Sequence, residues 1–261
     1  MEGKNIPIGN LNINYKIAGE GPAILVLHGW GGSSDSWISV QTLLEIAGFK
    51  VIIPDLPGFG KSAVPPIPWR IRDYTNFIND FIKEVNSEIT ESFFLLGHSF
   101  GGRIAIRFTA EYPEKIKSLI LCDAAGIKPK PGFKTNMIFL IARIGNAIFT
   151  PKHLIRFKDW ARNFFYASLR NKDYVKAKGI MRETIQKILE EDLFPDLEKI
   201  KTKTLIVWGG IDKMVPVKYA HVFKEKIENS KLEIIPKIGH SPHLETPEKL
   251  AEIIIKFLRE V

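Results

Sequence analysis

Residues 92–110 read SFFLLGHSFGGRIAIRFTA, and this stretch decides the fold. The apolar run at 93–96 is too short for a helix, and it ends in Gly-His-Ser-Phe-Gly. Apolar residues at helical spacing follow at once, at Ile104, Ala105 and Phe108. The stretch therefore predicts a buried strand, a sharp turn and a helix, with Ser99 at the tip of the turn.

The tip of such a turn suits a nucleophile. The turn holds its central residue in a strained conformation, and Gly97 and Gly101 let the strand and the helix approach without a clash of Cβ atoms. Unpaired N–H groups and the helix dipole at the start of a helix favour a developing negative charge. Because a serine before a helix usually just caps it, the prediction depends on residues elsewhere in the chain.

The composition is that of an ordinary globular protein. With 261 residues, 45% of them hydrophobic, the chain can form one large domain or one domain that carries an insertion. The first residues lack the basic and then apolar pattern of a secretory signal, and no apolar run approaches the length of a membrane span. Cys122 is the one cysteine and lies in an apolar run, which indicates a buried thiol. We expect a cytoplasmic protein.

The net charge of +8 is concentrated in one segment. Residues 127–200 contain 15 Lys and Arg against 8 Asp and Glu, whereas the rest of the chain has 22 against 21. This segment therefore carries almost all of the excess, which favours an insertion with its own surface. We expect no nucleic-acid partner.

Short apolar runs alternate with helical patterns along the chain. The alternation at 11–17 predicts a half-buried antiparallel edge strand that begins the sheet. Helical patterns cover 33–47 and 74–85. Buried strands are predicted at 23–27, 51–53, 93–96, 119–122, 205–208 and 232–235. This order indicates a mostly parallel, doubly wound α/β sheet, in which sites form beyond the carboxyl ends of the strands.

The stretch between the strands at 119–122 and 205–208 is too long for a simple crossover. Residues 133–191 contain helical patterns that are rich in aromatic side chains. Connections of this length in compact domains are usually structured insertions or lids. We predict a helical cap.

A serine nucleophile needs a base to take its proton and an acid to orient that base. Asp212 follows the strand at 205–208, and His240 follows the strand at 232–235. The order Ser99, Asp212, His240 is the one expected when this turn lies in a parallel sheet. Asp123, which also follows a strand, is an alternative acid, and His243 is an alternative base.

Four further polar residues lie near these motifs and are assigned structural roles. We expect His98 to pack or hydrogen-bond beneath the site and His28 to be a satisfied structural histidine. Asp55 is expected to tie its Pro-Gly loop to neighbouring residues. Glu245 is expected to support the histidine loop or the start of the final helix.

The motifs of the chain resemble those of the α/β-hydrolase superfamily, in its small, cap-bearing, esterase-like branch. The resemblance covers nearly the whole chain outside the cap and rests on HGWG at 28–31, DLPGFGKS at 55–62, GHSFG at 97–101, GGID at 209–212 and GHSPHLETP at 239–247. It implies an α/β-hydrolase fold, with a core at 1–126 and 192–261. A helical cap, 127–191, would be inserted after the sixth strand.

The resemblance also implies a role for each motif. Ser99 would be the nucleophile, His240 the general base and then acid, and Asp212 the orienting carboxylate. The backbone N–H groups of Trp30 and Phe100 would form an oxyanion hole, in which one donor is typically worth about 3 kcal/mol of barrier. These roles describe a serine hydrolase that cleaves small to medium apolar acyl esters through an acyl-enzyme, without a cofactor or a metal.

Two other functions stay open. Carbon–carbon bond hydrolases of the meta-cleavage type share the three residues and the cap, although they favour other residues than His98 and Ser241-Pro242-His243 at these positions. A non-catalytic ligand receptor on the same fold is the third hypothesis. The sequence does not fix the acyl-chain length, the choice between hydrolysis and acyl transfer, the oligomeric state, or weak contact of the basic cap with a membrane surface.

Overall fold

A twisted sheet forms the framework of the protein in a computed structural model that describes residues 3–89, 92–128 and 177–261. Within these residues the sheet has eight strands in the order β1-β2-β4-β3-β5-β6-β7-β8. The strands are β1 (Lys4–Ile8), β2 (Leu11–Ala18), β3 (Ala23–Leu27), β4 (Lys50–Pro54), β5 (Phe93–His98), β6 (Ile116–Cys122), β7 (Thr204–Gly209) and β8 (Ser230–Ile235). β2 pairs antiparallel with β1 and β4, and the other neighbours pair parallel.

Helices connect the parallel strands. The described helices are α1 (Ile38–Ile46), α2 (Ile71–Glu84), α3 (Phe100–Glu111), α4 (Gly179–Glu190), α5 (Phe194–Leu197), α6 (Lys218–Lys226), α7 (Pro242–Glu245) and α8 (Pro247–Leu258). Short 3-10 turns lie at Ser34–Trp37 and Pro113–Lys115. The mostly parallel, doubly wound α/β-hydrolase fold is therefore confirmed.

The sheet separates two hydrophobic cores, because successive side chains of a strand point to opposite faces. Leu25, Leu95 and Leu121 pack on one face with residues of α2, α3 and α6. Ile24, Phe94 and Ile120 pack on the other face with residues of α1 and α8. This burial on both faces explains why β3 to β7 read as continuous apolar runs. The prediction that 232–235 is a buried strand was wrong, since β8 lies at the other edge of the sheet and Ile234 is 38% exposed.

The prediction that 11–17 is the edge strand was wrong. β1 is the edge, and its Pro7 pairs with Asn12 of β2, in keeping with the preference of proline for edge strands. The simple alternation of burial also fails in β2, since Asn14 and Lys16 are each only 4% exposed. The loop after β4 covers this strand, and the N–H of Asp55 donates to the Asn14 carbonyl at 2.8 Å.

The predicted cap lies mostly at 129–176, outside the described residues. Helix α4, within its predicted range, packs against the segment that precedes α2. The Thr184 hydroxyl accepts from the Trp69 N–H at 3.1 Å, and the Lys187 ammonium donates to the Pro68 carbonyl at 3.0 Å. None of the helices in the described ranges has the length and apolar character that a membrane span would need.

Two glycines permit α3 to lie close to strands of the sheet, Gly97 on β5 and Gly101 against the end of β3. A Cβ atom at Gly97 would lie 2.6 Å from the Gly101 carbonyl oxygen and 2.7 Å from the Ala105 Cβ. A Cβ atom at Gly101 would overlap the Leu27 carbonyl. The predicted steric role of both glycines is confirmed.

Replacing Gly97 by alanine is expected to destabilise the protein by about 1–3 kcal/mol, because the added methyl group forces the helix away from the strand. Chemical denaturation followed by circular dichroism measures this change. The matched control is Gly210→Ala, where the nearest atom would lie at 3.3 Å. An equal loss in both variants would contradict the proposed close approach.

Candidate active site

Ser99 lies at the tip of the turn between β5 and α3 in a strained conformation, with φ 51° and ψ −110°. Such a backbone persists only where the surroundings hold it. The Ser99 N–H donates to the Cys122 carbonyl at 3.2 Å, and the Ser99 carbonyl accepts from the Ala125 N–H at 3.0 Å. The last residue of β6 and the segment just after it thus hold the backbone of Ser99.

The three predicted side chains meet in one hydrogen-bonded chain. His240 Nε2 lies 2.9 Å from Ser99 Oγ, and His240 Nδ1 lies 2.7 Å from Asp212 Oδ2. When Nδ1–H donates to the carboxylate, Nε2 is left to accept the proton of the serine hydroxyl. The geometry is that of a hydroxyl next to a base whose tautomer is fixed by an acid.

Asp212 is held by the turn that follows it. Its Oδ1 accepts hydrogen bonds from the N–H groups of Met214 at 2.7 Å and Val215 at 3.0 Å. Its side chain is fully buried, whereas that of His240 is 12% exposed. The two amide contacts were not predicted, although an aspartate that accepts from amides two and three residues later is a known turn pattern.

The alternative residues, Asp123 and His243, make other contacts. Asp123 Oδ1 accepts from the Gly209 N–H at 2.9 Å. His243 is buried and stacks on Trp37, with the ring centroids 4.5 Å apart and the planes 4° from parallel. Burial, and then the nearby His240, lower the pKa of His243 to about 4. No sequence pattern pointed to Trp37 as the platform for this ring.

Two side chains hold the loop of His240 from opposite sides. His98 Nε2–H donates to the His240 carbonyl at 2.8 Å, and burial lowers the pKa of His98 well below its ordinary value. The Glu245 carboxylate accepts from the N–H groups of Gly239 at 2.9 Å and Ser241 at 3.1 Å. The predicted supporting roles of His98 and Glu245 are confirmed.

The loop that follows β3 packs against the turn of Ser99. A Cβ atom at Gly29 would lie 3.3 Å from the Ser99 Cβ. Trp30 follows in this loop, and its ring contacts Phe100 with centroids 5.3 Å apart. Phe100 begins α3, where the first N–H groups of a helix have no partner within the helix. The two predicted oxyanion-hole residues are therefore neighbours at the turn.

The structural roles predicted for His28 and Asp55 are also confirmed. His28 Nδ1–H donates to the Gly29 carbonyl at 2.8 Å, and Nε2 accepts from the Leu56 N–H at 2.9 Å. Asp55 accepts from the N–H of Ser34 at 2.6 Å and of Lys61 at 2.8 Å. These bonds tie the loop after β4 to the loop after β3.

One group of possible metal ligands occurs among the described residues, and it consists of Asp123, Asp212 and His240. Their ligand atoms lie within 4.8 Å of one another. Each of the three already has hydrogen-bond partners in the protein. The group is therefore satisfied without an ion.

Comparison with known proteins identifies the family. The family model described as alpha/beta hydrolase fold matches residues 22–247. The chain belongs to the α/β-hydrolase fold family.

Relatives within this family carry different hydrolase names. The chain is 30% identical over 268 residues to 2-hydroxy-6-oxo-6-(2'-aminophenyl)hexa-2,4-dienoic acid hydrolase of Metapseudomonas resinovorans, covering 96% of this chain and 88% of that protein. It is 24% identical over 249 residues to Lipase 1 of Psychrobacter immobilis, covering 92% and 77%. A solved serine hydrolase involved in carbazole degradation superposes with a TM-score of 0.74 at 27% identity, covering 100% and 99%.

The buried His243 makes stability depend on pH. Its pKa in the folded protein, about 4, lies below the ordinary value of about 6.5, so the unfolded chain binds the proton first as pH falls. Stability is therefore lost between about pH 6.5 and pH 4. His243→Phe keeps an aromatic ring stacked on Trp37 but cannot bind the proton. At pH 4 this variant should therefore have lost about 3 kcal/mol less folding free energy than the wild type. Chemical denaturation at each pH measures the difference.

His221→Gln is the control for this experiment, since His221 is exposed on α6. It should leave the slope of stability against pH unchanged. An identical slope in His243→Phe and the wild type would show that His243 does not titrate as described.

Proposed function

We propose that the protein is a serine hydrolase that cleaves carboxylic esters through an acyl-enzyme intermediate. The observation that carries the proposal is the chain of contacts from Ser99 Oγ through His240 to the Asp212 carboxylate, at 2.9 and 2.7 Å. Membership of the α/β-hydrolase fold family supports it. A serine at the turn favours acyl transfer through a covalent ester.

In this mechanism Ser99 attacks the ester carbonyl carbon while its proton passes to His240 Nε2. Asp212 stabilises the imidazolium that forms. The N–H groups of Trp30 and Phe100 donate to the carbonyl oxygen as it becomes negative. His240 then returns the proton to the leaving alcohol, and the acyl group stays on Ser99. A water molecule, deprotonated by the same histidine, releases the acid and restores the serine.

Aromatic rings beside the turn support an apolar substrate. Trp30 is partly exposed and packs edge-on against Phe59, with centroids 4.7 Å apart, and against Phe100. Tyr74 lies behind Phe100, at 5.0 Å between centroids. Phe59, Phe100 and Tyr74 are buried, so the partly exposed ring of Trp30 is the one that can face a substrate, and its apolar surface suits an acyl or alcohol group without charge. We propose a small-molecule ester as the substrate, and the cap and the cytoplasmic location remain predictions.

A second candidate is hydrolysis of a carbon–carbon bond. It is favoured by the 30% identity to the dienoic acid hydrolase of Metapseudomonas resinovorans. The same three side chains would serve that reaction. His98, which holds the His240 carbonyl, departs from the residue that the meta-cleavage group favours there.

A panel of p-nitrophenyl acyl esters graded by chain length, run beside a dienoate carbon–carbon substrate, tests the proposal. We expect the highest kcat/KM on small to medium acyl esters and little turnover of the dienoate.

Ser99→Ala should lower ester turnover by about 10⁴-fold or more, because no other hydroxyl replaces the nucleophile.

Ser87→Ala is the matched serine control, since Ser87 lies with the amino ends of β3 and β4 at the opposite edge of the sheet. It should retain full activity. Undiminished ester turnover in pure Ser99→Ala would contradict the proposed nucleophile. Faster turnover of the dienoate than of every ester would favour the second candidate.

A further inference from the structure

Two buried carboxyl groups lie together behind His240. Asp123 follows β6 and is fully buried, and Asp212 follows the neighbouring strand β7 and has a fully buried side chain. Their oxygen atoms lie within 4.8 Å of each other and of a ring nitrogen of His240. Two carboxylates this close cannot both ionise without strong repulsion, so the pair retains one proton near neutral pH.

The hydrogen bonds around the pair decide which carboxyl group is charged. Asp212 accepts from two backbone N–H groups and from His240 Nδ1–H, and all three donors favour a carboxylate. Asp123 accepts from one backbone N–H, that of Gly209, and from the weakly donating thiol of Cys122 at 3.6 Å. The negative charge therefore belongs on Asp212 and the proton on Asp123.

The electrostatics of Asp123 agree with this assignment. Burial is the main cause that raises the pKa of Asp123 to about 8, and the charge of Asp212 adds to it. The Gly209 N–H acts in the opposite direction without cancelling the effect of burial. The titratable groups that face Asp123 are Cys122 on its own strand, Asp212, and His240 behind Asp212.

The backbone around Asp123 joins the two halves of the site. Asp123 has a φ of 43°, a conformation that needs support from its surroundings. Its N–H donates to the Val207 carbonyl at 3.0 Å, and its side chain accepts from Gly209 at the end of β7. Cys122, directly before it, and Ala125, two residues after it, bond to the backbone of Ser99. One short segment thus contacts both the nucleophile turn and the strand that carries Asp212.

We propose that Asp123 is a positioning residue, a neutral carboxylic acid that donates its proton to Asp212 and accepts from Gly209, and so fixes the Asp212 loop relative to Ser99. Its effect on turnover rests on the proposed function. When Asp123 loses its proton at alkaline pH, it no longer donates to Asp212, and a second negative charge repels that carboxylate. The site therefore loosens above the pH at which Asp123 ionises.

A titration of the wild-type protein labelled with ¹³C at the aspartyl carboxyl carbons, followed by NMR, tests the position of the proton. One aspartyl carboxyl should titrate near pH 8. This signal should be missing from Asp123→Asn and present in Asp80→Asn, a control on the exposed face of α2. If every aspartyl carboxyl titrates below about pH 6, the proposal is wrong.

Two variants distinguish the effect of the Asp123 hydrogen bonds on turnover from the effect of its packing. Asp123→Asn keeps a neutral donor toward Asp212 and an acceptor for Gly209, so it should retain most of the ester turnover. Asp123→Ala loses both and should lower kcat by about 10- to 100-fold, with a smaller change in KM. The wild type should lose activity above about pH 8, whereas Asp123→Asn, which cannot ionise, should hold its activity there.

Equal losses of kcat in Asp123→Asn and Asp123→Ala would overturn the proposal. It would also be overturned if Asp123→Asn lost activity above about pH 8 as the wild type does. If Asp123→Ala does not fold, the proposal is still tested by the activity of Asp123→Asn above about pH 8 and by the NMR titration. The titration needs no substrate. A protein that shows the carboxyl signal but hydrolyses no ester would leave the position of the proton established and contradict the proposed function instead.

Discussion

The structure depends on the close approach of β5 and α3, which forces Ser99 into a conformation that its neighbours must hold. Gly97 and Gly101 remove the Cβ atoms that would otherwise collide with the helix and with the loop after β3. The resulting strain at Ser99 is of the order of 1–3 kcal/mol, and it persists because the backbone bonds to Cys122 and Ala125 fix both ends of the residue. The strained turn directs the hydroxyl toward His240.

The loop that carries His240 is also held in place by hydrogen bonds. The carbonyl of His240 is bound by a neutral, buried histidine, and the two flanking amides are bound by Glu245. Buried histidines that stay uncharged add no positive charge beside the imidazole. Under the proposed function this arrangement leaves His240, with Asp212 behind it, as the group that accepts and returns the proton.

Much of the fold followed from local patterns. The inner parallel strands, β3 to β7, are buried on both faces, so they appear as short apolar runs, and the glycines at 97 and 101 mark the turn. Because the carboxyl ends of parallel strands share one edge, Ser99, Asp212 and His240 could be expected to meet before any coordinates were known. Both Asp123 and Asp212 follow strands, and the family resemblance favoured Asp212; in the structure His240 Nδ1 lies 2.7 Å from Asp212 Oδ2.

The features that were missed depend on contacts between separate segments of the chain. β1 is short and contains Pro7, and only its pairing with β2 makes it a strand. The burial of Asn14 follows from the loop after β4, whose Ser62 hydroxyl accepts from the Asn14 N–H at 3.0 Å. The contact of Asp123 with Asp212 exists because β6 and β7 are neighbours in the sheet. The spacing of apolar residues within one segment does not show which other segment it contacts.

The central claim is that the hydroxyl of Ser99 is activated by the histidine beside it. Reaction of the folded protein with a fluorophosphonate, followed by peptide mass spectrometry, tests it most directly. We expect one adduct, on Ser99, formed rapidly in the wild type and slowly in His240→Ala. An adduct on another residue, or equal rates in both proteins, would contradict it.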